Sequence, residues 1–314
     1  MAEKTESKRR TPRKTRSAEA SVAASQRDSQ AIAPGLWLVA TPIGNMGDIT
    51  LRAVEVLRGA DVLACEDTRR ARQLLSLLAI PLEGRQLIAY HDRNGAAQRP
   101  RLLEMLSGGQ SVAYVSDAGT PMIADPGYRL VEAAHAAELP VHTAPGASAV
   151  AAALTLAGLP TDRFLFAGFL AQKRAARLTA LKEIATVKAT LVLFESPRRL
   201  AELLKDAVAV LGADRQAAVV REITKLHEEV ARGSVGELAV MFQDREARGE
   251  IVVVVGPPSK IDPLEDQPER LDARLHALLA DLSVKDAART VADEFGLPKR
   301  VAYARALELS RDVQ

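Results

Sequence analysis

The sequence predicts an α/β fold in two domains, followed by a small helical unit. Three observations predict it. From Leu36 onward, short β-branched or apolar runs alternate with amphipathic stretches, the rhythm of parallel strands joined by helical crossovers. At 314 residues the chain is longer than one hydrophobic core usually serves, and the alternation itself falls into two series. Beyond Pro268 strand signals stop, and only helix-start and helix-stop signals remain.

In the first series Leu36–Ala40, Val62–Cys65, Leu87–Tyr90, Val112–Ser116 and Val141–Ala144 read as strands, each short and apolar enough to be buried in a parallel sheet. Leu51–Arg58, Arg69–Leu78, Arg99–Leu106 and Gly127–Ala137 read as the helices between them. From His142 to Thr161 there is no Asp, Glu, Lys or Arg, which is about the length of a membrane span. Pro145 and Pro160 break it, however, and the uninterrupted part from Ala147 to Leu159 is too short to cross a bilayer. It reads as a loop and a buried helix.

The second series has strands at Phe164–Phe169, Leu191–Phe194, Ala217–Glu222, Val230–Ser234 and Ile251–Val255. Helices are expected at Arg174–Ala185, Leu200–Leu211 and Val235–Asp244. A single helix between the last two strands predicts a mixed sheet. In the tail, Leu271–Leu282 is one helix, Ser283 and Gly296 look like the caps of Val284–Phe295, and Pro298 opens Lys299–Leu309. This is a helix-turn-helix outline. The expected organisation is a disordered basic arm (1–33), an N-terminal α/β domain with a parallel sheet (34–146), a C-terminal α/β domain with a mixed sheet (147–258), a linker (259–268) and the helical unit (269–314).

Charge and cysteine content exclude several classes. Net charge is +2, but residues 1–30 carry eight Lys/Arg against four Asp/Glu, so the rest of the chain is at −2. The arm lacks apolar periodicity and suits electrostatic contact with phosphates as well as it suits a plain solvated tail. Cys65 is the only cysteine, which excludes an internal disulfide and Cys-rich zinc sites and points to a reducing, cytoplasmic setting. No apolar core follows the basic start, so no signal peptide is expected.

In an open parallel sheet, ligands bind beyond the carboxyl ends of the strands. The five segments found there are Thr41–Asp48, Glu66-Asp67-Thr68-Arg69, His91-Asp92-Arg93-Asn94, Asp117-Ala118-Gly119-Thr120-Pro121 and Pro145-Gly146-Ala147-Ser148. All are polar or rich in Gly and Pro, and all should meet at one edge. None is a dinucleotide fingerprint, a P-loop or a nucleophile elbow, and no metal-ligand cluster is apparent.

Six segments then carry a resemblance: ATPIGNMGDITLRA, ACEDTR, YVSDAGTPMIADPG, APGASAVAAAL, FESPRRL and REITKLHEE, in that order from residue 40 to residue 229. The chain resembles the ribosomal RNA small subunit methyltransferase I family of the tetrapyrrole-methylase-like superfamily. It departs from the pattern at Arg93-Asn94-Gly95, where His-Asn-Glu is usual, and at Arg198, where His is more frequent. The resemblance implies two α/β domains with S-adenosylmethionine in the cleft between them, usually in a homodimer. It implies methylation of the ribose 2′-hydroxyl of a cytidine in the decoding region of small-subunit rRNA, with the substrate either free RNA or, as the favoured reading, the assembled 30S subunit. By the same resemblance the donor pocket includes Gly119, Thr120, Pro121, Ile123, Ala147, Ser148 and Ala149, with Phe194 and Glu195. The first loop, with Pro42, Gly44, Asn45 and Asp48, would border the RNA.

Methyl transfer is an in-line displacement that needs alignment, exclusion of water and help for a weakly acidic hydroxyl. Glu66, Asp67, His91 and Glu195 stand at strand ends, and the Glu66/Asp67 pair leads as catalytic candidate. The same pair reads equally as helix caps bound to Arg69. Arg69, Arg70, Arg198, Arg199 and Lys225 sit in motif loops where they can grip phosphates. Trp37 and Tyr114 fall inside strands and read as core. The rival readings are a small-molecule methylase of the tetrapyrrole type and a non-catalytic nucleic-acid-binding protein.

Overall fold

The computed structural model describes residues 32–124, 127–258, 268–295 and 297–311. All but the last two residues of the expected arm, most of the linker and the Gly296 cap lie outside the described residues. Internal contacts divide the chain into two units, one of residues 32–152 with Glu222–Glu228, the other of Ala153–Arg221 with the described residues from Glu229 onward.

The first unit runs β1 (Gly35–Val39), α1 (Leu51–Gly59), β2 (Val62–Cys65), α2 (Thr68–Leu77), β3 (Gln86–Ala89), α3 (Gly95–Ser107), β4 (Ser111–Val115), α4 (Tyr128–Ala136) and β5 (Val141–Ala144). The sheet order is β3-β2-β4-β1-β5, and every pairing is parallel. Side chains alternate across such a sheet, so each face gathers its own core. Trp37, Val39, Leu63, Cys65 and Val115 pack under α1 and α2 with Val56, Leu57 and Leu75. Leu36, Val62, Ala64, Val112 and Tyr114 pack under α3 and α4 with Leu102, Leu106, Leu130 and Ala134.

Three expectations need correction here. Full burial of every strand fails at the sheet edges, where Leu87 and Ala89 of β3 are half-buried and Thr143 of β5 is exposed, because an edge strand has a neighbour on one side only. The third helix begins at Gly95, not Arg99, and holds Pro100 inside it. Asn94 sets that start: its side chain accepts from the His91 backbone and donates to the Ala89 carbonyl, turning the chain early. The uncharged stretch forms α5 (Ala149–Ala157), which buries Val150, Ala153, Leu154 and Ala157 but exposes Ala151 and Thr155, so it is covered on one side rather than all round.

The second unit runs β6 (Phe164–Phe169), α6 (Arg174–Ala185), β7 (Thr190–Glu195), α7 (Leu200–Leu211), β8 (Gln216–Arg221), β9 (Glu229–Ser234), α8 (Val235–Met241) and β10 (Ile251–Val255). Its order is β6-β7-β10-β8-β9, with β6 and β7 parallel and the other pairs antiparallel, the mixed sheet the sequence predicts. α8 starts on a capping box in which Ser234 and Glu237 satisfy each other's backbone N–H. Arg177 is 1% exposed and bonds Asp206 at 2.8 Å, tying α6 to α7 through a buried ion pair.

The tail is α9 (Pro268–Leu279), α10 (Val284–Phe295) and α11 (Lys299–Arg311), around Leu271, Leu275, Val291, Ala302 and Ala306. Two Arg forks hold it: Arg274 to Glu294 at 2.8 Å and Arg305 to Asp272 at 2.6 Å. Among the described residues no helix is long and apolar enough to cross a membrane.

Candidate functional site

β1 and β4 are neighbours in the first sheet, yet their following helices lie on opposite faces, α1 against Trp37 and Val39, α4 against Leu36 and Tyr114. Such a switch point opens a crevice at the strand ends. Here the two following loops are laced together. Thr41 and Gly119 exchange backbone hydrogen bonds, both 3.0 Å. The buried Thr41 hydroxyl donates to the Ser116 carbonyl at 3.1 Å, and the Ser116 hydroxyl donates to the Gly119 carbonyl. The loop after β5 joins through Thr120, whose hydroxyl donates to the Ala147 carbonyl at 3.0 Å.

Gly119 has φ +77°, and a Cβ there would stand 3.1 Å from Ile43 Cγ2. Met122 and Ala124 also take left-handed backbone angles, at φ 67° and 57°. Such angles cost on the order of 1 kcal/mol or more each for residues with a Cβ. Between them Ile123 is 41% exposed, a branched apolar side chain presented to solvent by a strained loop. Pro121 is buried, while Ala147, Ser148 and Ala149 are half-buried. Backbone, small side chains and one presented isoleucine form a cradle.

The other side of the edge, at β3, β2 and β4, is acidic. Asp67 caps α2, accepting from the Arg69 backbone at 2.8 Å and from the Arg69 guanidinium at 2.7 and 3.1 Å. Its own N–H donates to Asp117 Oδ1 at 3.1 Å, and Arg70 Nε stands 3.6 Å from Asp117 Oδ2. The bonds from Arg69 hold the Asp67 carboxyl far below the usual range. Glu66 is opposite in character: burial, then the charges of Asp117 and Asp92, raise its carboxyl above 4.5, against the pull of His91 and Arg70. Adjacent carboxyls pushed apart in this way divide into a permanent anion and a group able to take a proton. Burial pushes the neighbouring Cys65 thiol up to about 12, so it is no nucleophile.

The first loop makes a 3₁₀ turn at Met46–Asp48, where Asn45 Oδ1 accepts from the Gly47 backbone at 2.9 Å. Gly44, Asn45 and Asp48 are exposed, and Pro42 is half-buried. Against this loop lies Lys225: a Cβ on Gly44 would fall 2.5 Å from Lys225 Cγ, so any larger residue there would have to displace that side chain. Lys225 Nζ bonds Glu222 Oε1 at 2.8 Å.

Pro42, Gly44, Asn45, Asp48, Glu66, Asp67, Arg69, Arg70, Gly119, Thr120, Pro121, Ile123, Ala147, Ser148 and Lys225 all belong to the first unit, with Ala149 opening α5. Phe194, Glu195, Arg198 and Arg199 stand together at the end of β7 in the second. Phe194 meets Phe166 and Phe169 edge-on at 4.9 and 5.5 Å. Glu195 is 2% exposed, accepts from the Ser196 backbone at 2.7 Å and stands 3.2 Å from Arg199. Arg199 in turn donates to the Leu170 carbonyl at 2.8 Å, so its charge serves the loop, while Arg198 is exposed. Thr41 and Asp117 stand in the strand-end segments that the sequence singles out, though without an assigned role, and Ser116 reads there only as the end of a strand. Among the described residues no group of three or more His, Cys, Asp or Glu side chains is placed to hold a metal ion.

A family model described as Tetrapyrrole (Corrin/Porphyrin) Methylases matches residues 35–239, and one described as RsmI C-terminal HTH domain matches residues 265–310. A protein of Mesorhizobium japonicum named ribosomal RNA small subunit methyltransferase I is 49% identical over 277 residues, covering 88% of this chain and 92% of that relative. A Synechocystis protein of the same name is 42% identical, covering 88% and 99%. Among solved structures, uroporphyrin-III C-methyl transferase from Thermus thermophilus complexed with S-adenyl homocysteine has TM-score 0.50 at 21% identity, over 71% of this chain and 97% of that one. That likeness is one of fold.

Proposed function

Because the chain belongs to the tetrapyrrole methylase family, and within it to the group of the ribosomal RNA small subunit methyltransferase I relatives, we propose that it transfers a methyl group from S-adenosylmethionine to small-subunit rRNA. The finer reading is that the acceptor is the ribose 2′-hydroxyl of a cytidine in the decoding region, in the assembled 30S subunit. It includes a homodimer working in the cytoplasm. The observation that carries the reaction class is the laced cradle at the switch point, where a Cβ on Gly119 would close the space beside Ile43.

The residues present fit the donor. Gly119, Thr120, Pro121 and Ile123, with Ala147, Ser148 and Ala149, would hold S-adenosylmethionine, which when bound supplies a methyl already activated on a sulfonium. The Thr41–Gly119 and Thr120–Ala147 bonds keep that cradle shaped in advance, so little is lost in ordering it on binding. Phe194 and Glu195 are proposed for the donor site on the family resemblance alone.

For the hydroxyl, Glu66 is the proton acceptor of choice, since its raised carboxyl takes a proton more readily than its neighbour. Asp67 caps α2 and fixes the guanidinium of Arg69, a positioning role. Arg198 keeps an exposed cationic end suited to phosphates; Arg70 is exposed beside Asp117, Lys225 is bonded to Glu222, and Arg69 and Arg199 are engaged within their own units, so these would meet RNA with a partner already in place. Pro42, Gly44, Asn45 and Asp48 would border the RNA, with Lys225 seated over Gly44.

The test supplies labelled donor with isolated small subunits and, separately, with a tetrapyrrole. Label in the RNA is expected. Label in the tetrapyrrole alone would replace this reading with the small-molecule methylase.

A further inference from the structure

The helical tail sorts its cations into two kinds. Arg274 and Arg305 are consumed in bidentate pairs that clamp α9 to α10 and α11, to Glu294 and Asp272. Lys285, Arg289, Lys299 and Arg300 instead gather around a groove of about 520 Å³ whose other lining residues are Ala288 and Tyr303. All four cations are exposed or half-exposed, and among the described residues no carboxylate pairs with Lys285, Lys299 or Arg300. Arg289 has one partner, Asp286 at 3.2 Å, an exposed pair of little energetic weight that is further tied to Ser283. Tyr303 is 44% exposed in the same groove, although the tail has a filled core of Leu, Ala and Val a turn away.

Neither feature helps the tail fold. Four neighbouring cations repel one another, and an exposed aromatic ring gains little from burial. Together they make a complementary surface for one kind of ligand: a ring that can stack on a base, edged by charges spaced for the phosphates on either side. The groove's volume falls within the ~300–1,000 Å³ range of small-ligand clefts, enough for a nucleotide drawn out of a strand.

We propose that this groove is a single-stranded RNA site in which Tyr303 stacks on a base while Lys285, Arg289, Lys299 and Arg300 hold the adjoining phosphates. The inference rests on the reading that the chain acts on rRNA, and adds to it a second RNA-binding surface outside the methyl-transfer machinery. Substrate is then gripped at two places, and the tail contributes to KM for the subunit, not to the chemical step.

The experiment uses the full chain, with Tyr303→Ala, Tyr303→Phe and the double variant Lys299→Ala/Arg300→Ala. Affinity for a short end-labelled single-stranded RNA is measured across salt concentrations, beside KM and kcat on isolated small subunits. Tyr303→Ala is expected to weaken RNA binding about ten-fold, with Tyr303→Phe close to the parent, as stacking requires. The double variant is expected to flatten the slope of log affinity against log salt by about 1.4, since each phosphate neutralised on a single strand accounts for ~0.7 of that slope. KM should rise and kcat at saturation should hold. Unchanged affinity and slope in correctly folded variants, checked by helix content, would overturn the proposal. So would a Tyr303→Phe variant as weak as Tyr303→Ala, or equal competition by duplex DNA. If the parent methylates no subunit while the variants still lose RNA binding, the enzymatic reading falls and the groove stands.

Discussion

Glu66 and Asp67 are neighbours in sequence with opposite electrostatic fates, and the difference separates them experimentally. If Glu66 accepts the proton, kcat/KM falls as pH drops through a value above 4.5; if Asp67 did, that limb would lie well below the usual 3.8. Glu66→Gln is expected to lower kcat by about 10²–10⁴-fold with donor affinity retained, the range for loss of a general base. Asp67→Asn keeps an N-capping oxygen but loses the exposed ion pair with Arg69, so kcat should stay close to the parent and stability should fall only slightly. An Asp67→Asn variant as slow as Glu66→Gln would transfer the role. The stability signs are opposite too. Glu66 is raised in the fold, so its ionisation destabilises, and that cost is relieved as pH falls. Asp67 is lowered, so its stabilising contribution is present above 3.8 and is lost as pH falls through its folded value. Sequence alone showed this pair and its two possible uses. It could not divide them, because the division comes from Asp117 and Asp92, brought in by other strands.

At the scale of elements, the hydrogen-bonded lacing between the loops after β1, β4 and β5 is the feature most open to test. Thr41→Val keeps shape but leaves the buried Ser116 carbonyl short of its donor, a loss of about 1–3 kcal/mol by the cost of an unpaired buried group. Thermal unfolding would report it. Gly119→Ala meets both the left-handed φ and Ile43, and should raise the donor dissociation constant at least ~10-fold by misplacing the cradle, with a fold cost of order 1 kcal/mol. Donor titration showing parental affinity would remove Gly119 from the site. The strands and their carboxyl-end loops were legible in the sequence because periodicity and Gly/Pro punctuation are local. The start of α3 was not, since Asn94 sets it by reaching back to Ala89 and His91 around a proline that normally marks a boundary. The partial exposure of Leu87, Ala89 and Thr143 was hidden for a related reason: strand order is a long-range property.

For the whole molecule, the telling segment is Glu222–Glu228, which leaves the second series to group with the first unit and lay Lys225 against Gly44. Motif order placed both in one resemblance, but no spacing along the chain predicts that they meet. Likewise the sequence offered no sign that Arg177 and Asp206 would be buried partners. Asp206→Ala leaves the buried guanidinium of Arg177 with only Glu202 at 3.2 Å and the Gln172 carbonyl at 3.3 Å, and should cost up to about 3–5 kcal/mol, read as a lower unfolding midpoint. An unchanged midpoint would mean that water reaches the pair. The central claim, a methyl placed on a ribose oxygen of small-subunit rRNA, is tested most directly by mapping the product. Small subunits from cells lacking this protein would be treated with it and labelled S-adenosylmethionine, and their RNA hydrolysed in alkali. Label is expected in one alkali-resistant dinucleotide that begins with a decoding-region cytidine, because a methylated 2′-oxygen cannot attack the neighbouring phosphate. Label released entirely in mononucleotides would place the methyl on a base and contradict it.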